Sequence, residues 1–68
     1  MTGSSAKLGK NLRMIRLKKG LSQTEVAQRL GADKSYISCV ENGLKNPTLA
    51  TLEKLSEALS VSIDELLK

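Results

Sequence analysis

An all-α fold, a compact five-helix bundle, is what this 68-residue sequence predicts, and three observations carry the prediction. Apolar residues recur at helical spacing: Leu8, Leu12 and Ile15, then Val26, Ala27 and Leu30, then Leu49, Leu52, Leu55 and Leu59. Residues that start helices precede several of these runs, at Ser22, Thr48 and Ser62, and glycines suited to ending helices stand at Gly31 and Gly43. The composition is aliphatic, with Tyr36 the only aromatic, one proline and no histidine. So small a core, worth only ~3–5 kcal/mol on its own, fits helices better than a sheet.

In chain order, residues 1–6 read as a flexible tail and 7–68 as a single domain. Lys7 to Lys19 forms the first helix, with basic residues crowding its end near Gly20, where they complement the helix dipole. Ser22 caps the second helix, Gln23 to Leu30. Glu25 closes a capping box there, and Leu21 and Val26 are spaced as a hydrophobic staple. Gly31 ends that helix in the left-handed conformation, which it adopts without the penalty of a Cβ. Asp33 caps the third helix, Lys34 to Asn42, and Gly43 terminates it. Two short helices across a glycine-containing turn make a helix-turn-helix layout.

Leu44 to Pro47 is a connector, and Thr48 caps a fourth helix whose stripe runs from Leu49 to Leu59. Ser62 with Glu65 starts a short fifth helix, with Val61 and Leu66 as its staple.

On a wheel at ~100° per residue, the third helix divides in two. Tyr36, Ile37, Val40 and Glu41 share one half, and Lys34, Ser35, Ser38, Cys39 and Asn42 the other. The second half is a strip of short polar side chains, where a solvated face usually carries long charged ones. Short side chains let a helix backbone approach another surface closely, and a DNA major groove is such a surface.

Charge agrees with that reading. The net charge is +4, but residues 1–34 hold eight basic and two acidic side chains while residues 35–68 hold three and five. One face is therefore suited to a polyanion. A single cysteine excludes an internal disulfide and a cysteine–histidine zinc site, which suits a reducing cytoplasm. No apolar run approaches the ~18 residues of a membrane span. Without histidine, a phosphate-binding glycine loop or room for a pocket, the chain is not expected to be an enzyme, and no metal, cofactor or small-molecule ligand is evident.

The stretch GLSQTEVAQRLGADKSYISCVENGLKNPTLATLEKLSEALSVSIDEL resembles the lambda-repressor-like helix-turn-helix family, of the Cro and xenobiotic-response-element type. The likeness runs from Leu8 to Leu67. Its specific parts are Leu21-Ser22-Gln23, Glu25, Ala27, Leu30-Gly31, Ser35-x-Ile37-Ser38, Glu41-Asn42-Gly43, Pro47-Thr48 and Leu52 through Leu59. It implies sequence-specific binding of double-stranded DNA by a transcriptional regulator of repressor type. The third helix would lie in the major groove, with a homodimer on a palindromic operator. The rival reading is an antitoxin or adaptor that keeps the fold but binds protein.

The resemblance places base contacts at Lys34, Ser35, Ser38 and Cys39, and phosphate contacts at Gln23, Asn42 and Lys45. Tyr36 packs its ring while its hydroxyl reaches a phosphate. Lys10 and Arg13 are further candidates for phosphate. Well-known members carry glutamine or arginine at several base-reading positions; with short side chains here, water or DNA shape takes part of the specificity.

Glu41 lies on the packed half of the third helix, an odd place for a lone carboxylate. Arg16 flanks the apolar stripe of the first helix, about 80° from Leu8 on the same wheel. The resemblance independently matches the two to a partly buried ion pair. For a dimer partner, the last helix and its approach offer Val61, Ile63, Leu66 and Leu67.

Overall fold

The structure, a computed structural model, describes residues 3–68, with five helices in the order α1 (Gly3–Lys18), α2 (Gln23–Leu30), α3 (Lys34–Glu41), α4 (Leu49–Leu59) and α5 (Ile63–Leu67). The described residues contain no strand. α1 packs on α3 and α5, α2 on α3 and α4, and α4 on α5. Between them lies one core of Leu8, Leu12, Val26, Ala27, Ile37, Val40, Leu55, Leu59 and Leu66. Every large side chain in it is aliphatic, as the composition requires.

The start signals at α2, α4 and α5 act as the sequence predicts. Ser22 Oγ accepts the Glu25 N–H at 3.0 Å while the Glu25 carboxylate accepts the Ser22 N–H at 2.9 Å, so both halves of the capping box are present. Those bonds hold the Glu25 carboxyl below its ordinary range, the Ser22 N–H first and its hydroxyl second. Thr48 and Ser62 accept the N–H of Thr51 and Glu65, each at 3.3 Å. Asp33 departs from expectation: its backbone is extended, as an N-cap requires, but its side chain makes no capping bond.

Helices α1 to α4 all end in one motif. In each, the N–H of the residue after a left-handed position bonds back five residues, as Ala32 does to Ala27 at 2.9 Å and Val61 to Ser56 at 3.0 Å. The left-handed position is glycine after the first three helices, but it is Ser60 (φ 57°) after α4.

Two expectations are corrected. The first helix begins before Lys7, because α1 already includes Gly3 to Ala6; Met1 and Thr2, the start of the expected 1–6 tail, lie outside the described residues. Ser5 is buried, and its hydroxyl bonds Asn46 of the connector, which fixes this first turn. Leu49 leaves the α4 stripe and is 65% exposed, since the inward face is set by Leu52, Leu55, Ala58 and Leu59. Leu66 is fully buried, as a staple residue should be.

The residue that sets the distance between α1 and α3 is Gly9. A Cβ there would lie 2.8 Å from the Glu41 carbonyl carbon and closer still to the carbonyl oxygens of Val40 and Glu41. The two backbones meet where a side chain would stand, so α1 rides directly on the C-terminal end of α3.

Candidate nucleic-acid interface

α3 is held by its apolar half. Ile37 and Val40 are fully buried, and Tyr36 packs partly against the same core. Opposite them, Lys34 and Ser35 are exposed, Ser38 and Cys39 are half-buried, and Asn42 is exposed at the C-cap. The four residues expected to read bases thus share one accessible face of α3. Asn42 Nδ2 stands 3.5 Å from Ser38 Oγ, at the outer limit of a hydrogen bond.

Glu41, the last residue of α3, joins three helices. Its Oε2 accepts from Arg16 Nε at 2.6 Å, and its Oε1 accepts from Arg16 Nη2 at 3.2 Å. Oε1 also accepts from Gln23 Nε2 at 3.0 Å. Arg16 completes its set by donating from Nη1 to the Leu21 carbonyl at 2.9 Å. The side chains of Arg16 and Glu41 are only 10% and 4% exposed, so this two-pronged ion pair is a buried one. It locks α3 to α1 and to the start of α2.

Gln23 was expected to face a phosphate. It is half-buried, and one amide N–H is used on Glu41, which orients the side chain at the α2 N-terminus. Lys45 is exposed on the connector, with Nζ 5.7 Å from the centre of the Tyr36 ring. Lys10 and Arg13 are both exposed on α1.

The dimer candidates separate. Leu66 belongs to the core and is unavailable, Val61 packs partly against it, Ile63 is half-buried, and Leu67 is 50% exposed. Leu44 and Leu49, which flank the connector, are also exposed. No group of three His, Cys, Asp or Glu side chains comes together among the described residues. Cys39 is a free thiol.

Several positioning contacts escaped the sequence reading. Asn11 Nδ2 donates to the Leu66 carbonyl at 2.9 Å, and Arg29 Nη1 to the Ala58 carbonyl at 2.7 Å. Each ties an early helix to the C-terminal end of a later one. Gly9 did leave a signal: a lone glycine within a helical pattern costs helix stability relative to alanine, so its presence asks for a local reason. Arg29 left none, because its partner is backbone.

The chain is similar to known proteins over nearly its full length. It is 46% identical over 59 residues to the uncharacterised HTH-type transcriptional regulator y4dJ of Sinorhizobium fredii, covering 87% of this chain and 77% of that protein. It is 41% identical over 61 residues to the transcriptional regulator SinR of Bacillus subtilis, covering 88% of this chain but about half, 55%, of SinR. The crystal structure of SinR in complex with DNA superposes with a TM-score of 0.83 at 40% identity, over 90% of this chain and 98% of that one. The restriction-modification controller protein C.AhdI from Aeromonas hydrophila superposes with a TM-score of 0.91 at 40% identity, over 96% and 98%. The model of the helix-turn-helix family matches residues 12–66, which span α2, α3 and the helices that hold them, and the chain belongs to that family.

Proposed function

We propose that this protein binds specific double-stranded DNA as a transcriptional regulator of repressor type, with α3 in the major groove. One observation carries the reading: Lys34, Ser35, Ser38 and Cys39 share the accessible face of a helix whose other face is locked into the core. A groove about 12 Å wide admits such a helix, and short side chains let it sit deep. Gln23, Asn42 and Lys45 flank that face and take phosphates, which set the register. SinR, solved with DNA bound, supports the same use of the fold.

Two copies act on a palindrome, each α3 on one half-site, about 34 Å apart. Leu67 and the outer parts of Ile63 and Val61 form the contact, without Leu66. So small an apolar surface associates weakly, and DNA drives the pair together. The relatives named above are regulators rather than enzymes, and we assign no catalysis here. No described helix is long and apolar enough to cross a membrane, and the proposed site of action is the cytoplasm.

Selection from random duplexes, read by sequencing, tests the reading directly. It should return a palindrome bound more tightly than either half alone. A random duplex should be shifted at low salt and released steeply as salt rises. An adaptor that keeps the fold to bind protein would show neither behaviour.

A further inference from the structure

We infer that Tyr36 is a positioning residue whose ring holds the Lys45 ammonium ready for a DNA phosphate, an inference that rests on the DNA-binding reading above. Lys45 lies on the connector beyond Gly43, outside any helix, on a long side chain with many rotamers. Its Nζ nevertheless stands 5.7 Å from the centre of the Tyr36 ring, within range of attraction between a cation and an aromatic face. The ring is a fixed platform, because Tyr36 is half-buried on α3 and packs against the core.

The kind of holder matters. A carboxylate would orient the ammonium but would also neutralise it, and would have to be displaced before a phosphate could bind. Among the described residues no carboxylate lies within salt-bridge distance of Lys45. An aromatic face orients the ammonium while leaving its charge intact and N–H groups free for an anion. Tyr36 also stands between Ser35 and Ser38 in sequence, so the held charge keeps a fixed register to the reading face. Ordering a long side chain before binding removes a cost otherwise met on the DNA, worth about 2- to 10-fold in affinity.

The ring can be separated from the hydroxyl by comparing Tyr36→Phe with Tyr36→Leu, since both lack the hydroxyl and only the first keeps a ring. Affinity of the full chain for a random duplex is measured by fluorescence anisotropy, with Lys45 present and again with Lys45→Ala. With Lys45 present, Tyr36→Phe should bind about 2- to 10-fold more tightly than Tyr36→Leu. With Lys45→Ala the two should bind alike. Equal binding in the first background, or an undiminished difference in the second, overturns the inference.

A second measurement needs neither DNA nor a variant at Tyr36. The Hε protons of Lys45 should resonate upfield of those of Lys34 in the free parent protein, because the Nζ to which their carbon is bonded lies over the ring. Coincident shifts overturn the inference even if DNA binds well. A parent that ignores duplex at low salt, with Lys45 still shifted upfield, overturns the DNA-binding reading while leaving the pair itself standing.

Discussion

Removing the Glu41 side chain should unfold this protein more readily than any other single polar truncation on α3. Glu41→Ala takes three acceptor contacts away at once, two from Arg16 and one from Gln23. Gln23 is half-exposed, so water can replace its lost partner. Arg16 cannot be rescued so easily, because its side chain is only 10% exposed and keeps only the Leu21 carbonyl as acceptor. A charge stranded by deleting its buried partner costs about 3–5 kcal/mol, and the surviving carbonyl contact argues for the lower end. At 4–8 °C per kcal/mol for a domain of this size, a loss of about 3 kcal/mol lowers the melting temperature by roughly 12–24 °C. That is comparable to the whole ~3–5 kcal/mol that a core of this size supplies.

The assay is thermal melting by circular dichroism without DNA, on the parent, Glu41→Ala and the double variant Arg16→Met with Glu41→Leu. Replacing both charges with apolar residues of similar volume should be near neutral, because nothing is then left unpaired. A Glu41→Ala protein that melts within about 2 °C of the parent would refute the reasoning, since a shift that small corresponds to less than ~0.5 kcal/mol. In that case Arg16 would be held by something other than the carboxylate.

Further outcomes follow from the same structure. Ser60→Gly should raise the melting temperature by about 2–8 °C, because Ser60 is the one non-glycine residue described at positive φ (57°), and relief of ~1–2 kcal/mol less the ~0.5–1 kcal/mol entropic cost of glycine leaves ~0.5–1 kcal/mol. Gly9→Ala should destabilise by about 1–3 kcal/mol in a denaturant titration, since helix propensity favours alanine but two backbone carbonyls fill its place. Glu25 has a carboxyl pKa lowered below 4.5 in the folded protein, so its contribution is complete above the unfolded value and fades as pH falls through the folded one. Calorimetry of the parent and Glu25→Gln at about pH 6 and about pH 3 should show the parent's advantage shrinking in acid. Ser35→Ala and Cys39→Ala should each change the sites recovered by selection, whereas Lys45→Ala should weaken all sequences alike and lower the salt slope by about 0.9.

Most of the fold was legible because its signals are local. The Ser22–Glu25 box, the Gly31 turn and the leucine spacing of α4 each lie within a few residues, and a wheel or a cap rule reads them directly. Leu49 shows where such reading stops: it continues the leucine spacing, yet it is exposed while Leu52 packs against the core. What decides such a residue is the element opposite, which periodicity does not contain. The Arg16–Glu41 pair was within reach because a carboxylate on a packed face demands a partner, a demand that can be stated before the partner is known, and because the family resemblance independently matched the two. Gln23 carried no such demand, being an ordinary residue for a first helical turn, so its bond to Glu41 went unread. Tyr36 and Lys45 go one step further. Each was expected at a phosphate on separate grounds, Tyr36 from its hydroxyl and Lys45 from the family resemblance, and only the path of the connector brings the ammonium over the ring. The sequence thus names the groups on the proposed reading face, while the crossing of α1 over α3 at Gly9 and the return of the connector set the geometry in which they are held.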